Sequence, residues 1–266
     1  MDLGLRGKTA IVTGASQGIG AAIARALHTE GVSMVLVARS LERLDPMTRT
    51  LGAQVGQTPR PAVYPIVADL GIRAEVERVV AQAIERLGHV DILVNNAGRA
   101  HTGSFFDMSE EHLQDIWQVK AFGYVRMVRA IAPHMMERKS GSIINIIGTA
   151  ARTPTEDFIV GSMVNAALLN FTRGISRSLG RNNVRINSIS PGWTLTEWLQ
   201  RKFELQAAAE GVSVEEIERR EARAIPLRRL VTMDEIASLA VLLASDRLPA
   251  MTGEDVILDG GATPSI

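Results

Sequence analysis

The chain has 266 residues, a formal net charge of zero and no cysteine. The zero net charge argues against nucleic acid or an anionic membrane surface as a partner, and the lack of cysteine excludes disulfides and thiolate metal sites. The N-terminus has no apolar core like that of a signal peptide, and no apolar run approaches the roughly 20 residues of a bilayer span. We therefore expect one large domain, 1–266, in the cytoplasm, with no metal, nucleic-acid or membrane partner.

Short apolar runs alternate with stretches of helical periodicity along the whole chain. This alternation predicts an α/β fold, in which a mainly parallel, doubly wound sheet of seven strands is covered by helices on both faces. The predicted strands are 9–12, 34–37, 64–67, 92–94, 142–147, 185–189 and 256–258.

A glycine-rich turn, residues 13–20, joins the first predicted strand to a helix. Gly14 permits a tight turn, Gly18 permits close approach of a ligand to the backbone, and Gly20 lets the helix pack against the sheet. The free N–H groups and the dipole at the start of a helix favour a diphosphate. The turn therefore predicts dinucleotide binding. The contacts expected from it are Gly14, Ser16, Gln17, Gly18, Ile19 and Gly20.

The spacing Thr-Gly-x-x-x-Gly-x-Gly resembles the short-chain dehydrogenase/reductase family, and the resemblance covers essentially the whole chain. Asn-Asn-Ala-Gly at 95–98, Pro-Gly at 191–192 and Leu-Asp-Gly-Gly at 258–261 fall in the family's order and at its spacings. The resemblance implies a Rossmann-type fold and a nicotinamide cofactor. The further cofactor contacts that it implies are Asp69, Leu70, Asn95, Ala97, Gly98, Asn165, Pro191, Gly192, Thr194 and Thr196. Asp69 has an alternative role as the N-cap of a helix over 73–87.

Arg39 and Ser40 follow the second predicted strand, where the choice of cofactor is made. An acidic residue at the end of this strand would bind the ribose hydroxyls and select NAD, but this chain has an alanine there. The guanidinium of Arg39 suits a 2′-phosphate. The sequence therefore favours NADP(H) over NAD(H), with an exposed surface arginine as the alternative.

The catalytic positions of the family are replaced in this chain. The resemblance implies a serine that holds the carbonyl, a tyrosine that donates the proton, a lysine that lowers its pKa, and an asparagine on an earlier helix. The serine falls on Gly148, the tyrosine on Gly161, the lysine on Asn165 and the asparagine on Lys120. We expect a wider pocket that has neither the phenol nor the serine hydroxyl.

Five residues are candidates to replace the missing groups. Asn165 keeps the ability to bind a ribose hydroxyl, and the long stem of Lys120 reaches either toward the vacated space or out to the surface. Thr149 offers a displaced hydroxyl. Asp157, four residues before the vacant tyrosine position, shares its face on a continuous helix or else faces water. His101 lies where family members begin to line the substrate pocket.

The segment 193–226 has helical signals of its own, including a capping pattern at 213–216. Its position resembles that of the family's substrate lid, and Trp193, Trp198 and Phe203 indicate an apolar or aromatic substrate. The alternative is a helical pair packed on the core or on a neighbouring subunit. The resemblance also implies a homo-oligomer, dimer or tetramer, formed through two long helices and the C-terminal strand.

Three functions are compatible with these residues. The first is an NADP(H)-dependent oxidoreductase that acts on a small carbonyl or alcohol through an altered proton relay. The second is a non-catalytic dinucleotide sensor or regulatory partner, and the third is a lyase or isomerase without net redox chemistry. The glycine-rich turn and the 191–196 segment indicate a bound nicotinamide cofactor, which weakens the third. The sequence favours the first.

Overall fold

The computed structural model describes residues 2–53, 61–99 and 101–264. Within these ranges, seven strands form one parallel sheet in the order β3-β2-β1-β4-β5-β6-β7. The strands are β1 Thr9–Thr13, β2 Ser33–Ala38, β3 Val63–Val67, β4 Ile92–Asn95, β5 Gly141–Ile146, β6 Val184–Pro191 and β7 Asp255–Leu258. The doubly wound α/β fold is confirmed, and each predicted strand lies within two residues of the observed bounds.

Helices cover both faces of the sheet, as the alternating pattern predicts. The α-helices of the described ranges are α1 Gly18–Thr29, α2 Leu41–Ala53, α3 Arg73–Leu87, α4 Glu110–Ile116, α5 Gly123–Glu137, α6 Ile159–Gly180, α7 Glu197–Glu210, α8 Val214–Ala224 and α9 Met233–Ala244. One apolar core lies between the sheet and helices α1, α2 and α9. A second lies between the opposite face and helices α3 and α5. This two-sided burial explains why the central strands are apolar along their whole length.

The order of the strands reverses beside β1. Ala10 pairs with Met34 of β2 on one side and with Ile92 of β4 on the other. The crossover connections on the two sides of β1 therefore leave the sheet on opposite faces. In open α/β sheets, the crevice at such a switch point, outside the carboxyl ends of the strands, is where ligands bind.

A π-helix, Trp117–Phe122, joins α4 to α5 and carries Lys120. The i→i+5 pattern inserts an extra residue into an otherwise α-helical run, and such bulges are frequent at functional sites. The hydrophobic period of this stretch is that of an ordinary helix, so the sequence does not predict the bulge.

Helix α6 is more exposed and more apolar than the sequence analysis expects. The run 156–180 reaches a mean hydropathy of 1.2 over 18 residues, which by length and composition alone is enough to cross a membrane, and only 39% of that window is buried. The expectation that no apolar run approaches this length is therefore wrong. The exposed residues of the helix include Met163, Ala166, Ala167 and Gly174.

Segment 193–226 folds into two helices with an apolar core of their own. Helices α7 and α8 enclose a cluster made of Leu199, Phe203, Ala207, Ile217, Ile225 and Leu230. The hydroxyl of Ser213 accepts a hydrogen bond from the amide of Glu216 at 3.2 Å and so caps α8, as the sequence predicts.

Candidate active site

A cleft of about 630 Å³ lies at the switch point of the sheet. Twelve of the predicted cofactor contacts line it, and they come from the carboxyl ends of four strands and from the start of α7. These residues are Gly14, Ser16, Gln17, Gly18, Ile19, Arg39, Ser40, Asp69, Leu70, Ala97, Gly98 and Thr196. The volume falls in the range of small-molecule and cofactor sites. Among the described residues, no group of three or more His, Asp or Glu side chains is arranged to hold a metal ion.

The glycine-rich turn has no room for larger residues at two of its three glycines. A Cβ atom at Gly20 would lie 2.3 Å from the carbonyl oxygen of Gly14, and one at Gly14 would lie 2.8 Å from Nδ2 of Asn96. Gly18 has a φ of +59°, and the Thr196 side chain, 3.9 Å away, would make only an ordinary contact with a Cβ there. Gly14 and Gly20 therefore serve close packing, whereas Gly18 leaves the backbone accessible to a ligand.

Thr13 and Asn96 tie the glycine-rich turn to the end of β4. The Thr13 hydroxyl accepts hydrogen bonds from the amides of Asn96 at 2.9 Å and Ala97 at 3.1 Å, and the Asn96 side chain donates to the carbonyl of Gly14 at 3.2 Å. Asn95 lies below the cleft, where it donates to Asn145 at 2.9 Å. Asn95 thus ties β4 to β5, and its predicted place at the cofactor is taken by Asn96.

Two guanidinium groups, rather than the one that the sequence predicts, line the cleft where β2 is followed by α2. Arg39 is exposed and lines the cleft beside Ser40, as predicted. Arg43 also lines it and donates to Oε1 of Gln17 at 2.9 Å. Arg43 was not predicted from the sequence; it lies in the first turn of α2, whereas Arg39 precedes that helix.

Asp69 is held by its own loop and by an arginine. Its carboxylate accepts from the amide of Gly71 at 2.8 Å and from Arg99 at 3.2 Å. The alternative role of Asp69 as a helix cap is wrong, because Ile72 occupies the N-cap position of α3. Arg99, which also pairs with Asp115, was not singled out from the sequence.

Lys120 points into the fold. Its ammonium donates to the carbonyl of Ile147 at 2.7 Å, directly before Gly148, and its stem packs 3.4 Å from the position a Cβ would take at Gly98. Burial lowers the pKa of Lys120 to about 8. Lys120 therefore lies between the cofactor cleft and the end of β5, and its alternative position at the surface is not adopted.

Gly148 and Asn165 face each other beside Lys120. A Cβ at Gly148 would lie 3.2 Å from Nδ2 of Asn165. Asn165 is 2% exposed, and its Oδ1 has no hydrogen-bond partner within the described part of the chain. An orphaned acceptor at this depth is costly, and a ligand hydroxyl would satisfy it.

The space beside Gly161 is filled, not vacant. A Cβ at Gly161 would lie 2.1 Å from the Phe158 ring. Phe158 ends a 3₁₀ turn, Glu156–Phe158, and its ring folds back over the first turn of α6. The expectation of a widened pocket is therefore wrong at this position, because the Phe158 ring occupies the space beside the residue onto which the resemblance places the family's tyrosine.

Asp157 lies outside α6 and is exposed, so of its two alternatives the shared helical face with Gly161 is wrong. Its carboxylate pairs with Lys202 of α7 at 3.0 Å and accepts from the Thr155 hydroxyl at 2.6 Å. The hydrogen bond from Thr155, followed by the pairing with Lys202, lowers the pKa of Asp157. An ionised, lid-bound carboxylate is a poor proton donor at this site.

The other two candidate replacements occupy separate places. Thr149 follows Gly148 directly and begins a 3₁₀ turn, Thr149–Ala151. His101 stacks on His112 with ring centroids 4.3 Å apart and lies 3.8 Å from Asp115. His101 therefore belongs to the cluster around Arg99.

The 191–196 segment has two roles. Some of its residues pack inside the fold, and others line the cleft. Gly192 leaves no space for a side chain, since a Cβ there would lie 2.6 Å from Cβ of Asp259. Thr194 is buried and donates to the carbonyl of Gly192 at 2.9 Å. Thr196 lines the cleft and caps α7, and Trp198 lines the same wall. Pro191, at the end of β6, lies outside the cleft lining.

Known proteins resemble this chain over nearly its whole length. Oxidoreductase UcpA of Salmonella typhimurium is 34% identical over 262 residues, which are 97% of this chain and 95% of that protein. NADPH-dependent reductase BacG of Bacillus subtilis is 29% identical over 259 residues, 97% of this chain and 99% of that one. The crystal structure of L-sorbose reductase from Gluconobacter frateurii, complexed with NADPH and L-sorbose, superposes with a TM-score of 0.94 at 30% identity and covers 100% of both chains.

A family model described as enoyl-(acyl carrier protein) reductase matches residues 14–263. This range includes the glycine-rich turn, the whole sheet from β2 onward and the segment between β6 and β7. With the full-length relatives and the shared topology, the match establishes that the chain belongs to the short-chain dehydrogenase/reductase family.

Proposed function

We propose that this chain is an NADPH-dependent reductase of a small carbonyl compound in which Lys120 delivers the proton that a tyrosine delivers in its relatives. One observation carries the proposal. The Lys120 ammonium lies 2.7 Å from the carbonyl of Ile147, directly before Gly148, and its stem packs beside Gly98, which lines the cleft. A partly buried amine that faces a carbonyl inside the fold, rather than a carboxylate or bulk water, is a candidate for a functional role of its charge or its proton.

The residues of the cleft fit a nicotinamide dinucleotide. The open backbone at Gly18, followed by the start of α1, suits a diphosphate. Arg39 and Arg43 stand where a 2′-phosphate would lie. The orphaned Oδ1 of Asn165 suits a ribose hydroxyl. Since UcpA and BacG are oxidoreductases and the sorbose reductase holds NADPH, NADP(H) is the cofactor that we assign.

In this proposal, the chemical step that the protein's own side chains carry out is a proton transfer to the substrate oxygen. When bound, NADPH supplies a hydride to the carbonyl carbon, which leaves a negative oxygen. Lys120 donates a proton to that oxygen, and its neutral amine is protonated again from solvent. An amine whose pKa lies near 8 is well matched to this step at neutral pH, because it is charged beforehand and gives up its proton readily. Asn165 orients the ribose and supplies no charge.

The 193–226 segment is the substrate lid in this proposal. Trp198 lines the cleft from α7, and the Phe158 ring lies beside Gly161 at the start of α6. These aromatic walls favour an apolar or aromatic carbonyl compound. We place the protein in the cytoplasm, where NADPH is present.

A second candidate function follows from the Phe158 ring. Because it fills the tyrosine position and Gly148 has no hydroxyl, two groups that bind a substrate carbonyl in the family are absent. A dinucleotide-binding sensor needs neither of them. In that case the protein binds NADPH tightly and turns over no substrate.

The test combines binding with turnover. Fluorescence titration with NADPH and NADH measures cofactor affinity, and a panel of aliphatic and aromatic ketones, aldehydes and ketoses is then assayed at high enzyme concentration with NADPH. We expect binding and slow reduction of at least one aromatic member. Tight binding without turnover across the panel would replace the reductase by the sensor, and the absence of binding would reject both.

Arg39 decides between the two cofactors, so Arg39→Ala should lower the NADPH affinity and leave the NADH affinity nearly unchanged. A charged contact to the 2′-phosphate is worth about 1.5–3 kcal/mol, which corresponds to a ten- to hundredfold loss. Titration of both variants with both nucleotides measures the ratio. Arg49→Met, a neighbouring arginine on α2 whose side chain is 80% exposed, is the control. If the ratio of NADPH affinity to NADH affinity is unchanged in Arg39→Ala, Arg39 does not select the cofactor, and Arg43 is the remaining candidate.

We also propose that the chain forms a homo-oligomer, dimer or tetramer, through the exposed face of α6. Met163, Ala166, Ala167 and Gly174 give this face small or apolar side chains beside the exposed Asn170, so that another helix can approach closely. Sedimentation velocity at micromolar concentration should show an oligomer. Ala167→Glu, which places charges opposite each other across a twofold contact, should shift it to monomer. A wild-type monomer would contradict the proposal.

A further inference from the structure

Asp157 joins three segments of the chain, namely the loop after β4, the turn after β5 and helix α7. Its backbone carbonyl accepts from the amide of Gly103 at 2.9 Å, in the loop that follows β4. Its carboxylate accepts from Lys202 of α7 at 3.0 Å. Asp157 itself belongs to the turn that follows β5 and carries Phe158. One residue thus holds the two loops and the lid together.

Lys202 is held on the lid by more than the carboxylate. Its ammonium lies 4.8 Å from the ring centroid of Trp193 and 6.0 Å from that of Trp198. Trp198 lines the cofactor cleft, and its neighbour Thr196 lies 3.9 Å from the position of a Cβ at Gly18. The same lysine therefore contacts two indoles, one of which, that of Trp198, lines the cleft. Cation–π contacts of this kind stabilise when the cation is partly removed from water.

We propose that Asp157 and Lys202 form a latch that holds helix α7 closed over the bound cofactor. Asp157 is a positioning residue of the proposed reductase, not its acid. This proposal depends on one part of the proposed function, the binding of NADPH in the cleft, and does not require catalysis. The pair is partly exposed, with side chains 49% and 30% accessible for Asp157 and Lys202, so it opens without unfolding the lid. The separate apolar core of α7 and α8 lets them move as one unit.

The latch predicts faster release of NADPH when either partner loses its charge. Stopped-flow displacement, followed through energy transfer from tryptophan to NADPH, measures the dissociation rate. Lys202→Met and Asp157→Asn should each raise the rate about three- to tenfold, the size expected for a partly exposed ion pair supported by cation–π contact. The double variant should be no faster than the faster single variant, because both changes break one interaction. Arg201→Met, at the adjacent exposed position of α7, should leave the rate unchanged.

A second measurement needs no cofactor. Acrylamide quenching of tryptophan fluorescence in the free protein should increase in Lys202→Met and Asp157→Asn, since the indoles of Trp193 and Trp198 lose their cover, and should not change in Arg201→Met. Failure of the wild-type protein to bind NADPH would reject the proposed function, and this comparison would still decide the latch. Unchanged quenching in both charge-removing variants, or additive effects on release in the double variant, would overturn it.

Discussion

Lys120→Met should reduce turnover about 10²- to 10⁴-fold, which is the range expected for the loss of a positioned general acid. Methionine keeps most of the stem that packs beneath Gly98 and removes the ammonium. Cofactor affinity should change by less than threefold, because the twelve predicted contacts that line the cleft do not include Lys120. Steady-state kinetics with the best ketone of the panel, together with NADPH titration, separates the two effects.

Two further variants sharpen this test. Lys120→Arg keeps the positive charge but holds its proton too tightly to donate it, so its turnover should be as low as that of Lys120→Met. Lys139→Met, at an exposed lysine after α5, should retain full turnover. Recovery of turnover in Lys120→Arg would show that the charge of Lys120 is what counts and that the proton comes from elsewhere.

The pH dependence of reduction follows from the same residue. Burial lowers the pKa of Lys120 from its ordinary 10.5 to about 8. The acid must be protonated, so the rate of reduction should be level below pH 8 and fall about tenfold per pH unit above it. In the unfolded chain the lysine keeps its proton up to about 10.5. The free energy that burial of the charge costs is therefore present in full below pH 8 and disappears by pH 10.5, and the stability gap between Lys120→Met and wild type should close over this interval.

Gly161→Tyr, the change that would restore the family's tyrosine, should lower the free energy of unfolding by about 1–3 kcal/mol. The added side chain begins 2.1 Å from the ring of Phe158, so the ring has to leave its position. A tyrosine at residue 180 of the same helix is the control, because Gly180 has open space around it. Urea unfolding of the two variants measures the difference.

Phe158→Ala combined with Gly161→Tyr should recover most of that loss, because the new ring fills the space of the old one. The coupling energy between the two positions should be about 1–3 kcal/mol, the range for residues in direct contact. Adding Asn165→Lys to this pair should then raise ketone reduction. Additive destabilisation in the double variant would mean that Phe158 and Gly161 do not exchange the same space.

The fold could be predicted almost completely from the sequence. The apolar runs of the central strands, such as Thr9–Thr13, are buried on both faces, and this leaves a pattern that survives without tertiary information. The bounds of α3, Arg73–Leu87, are those of the predicted helix. The π-helix at Trp117–Phe122 was not predictable, since one extra residue in a helical turn leaves the apolar spacing nearly unchanged.

The candidate site could be predicted from the sequence only in part. Backbone-dependent contacts, such as those of Gly14 and Gly18, follow from spacing and were predicted. Some contacts made by long side chains were not predicted, because a stem of several bonds reaches partners far away in the chain. Arg43 and Lys202 are examples. The place of Phe158 was not predicted for a different reason. The sequence shows that Gly161 has no side chain, but it does not show which neighbouring side chain fills the space.

The backbone at Gly148 has a consequence for the descent of this chain. Its φ of +121° is a conformation that L-residues rarely adopt. A descendant that gained serine at this position would lose stability at that step and gain no rate, because a tyrosine and a lysine would still be lacking. Any side chain at this position therefore costs stability before it can contribute to catalysis, and glycine is the residue that this backbone favours.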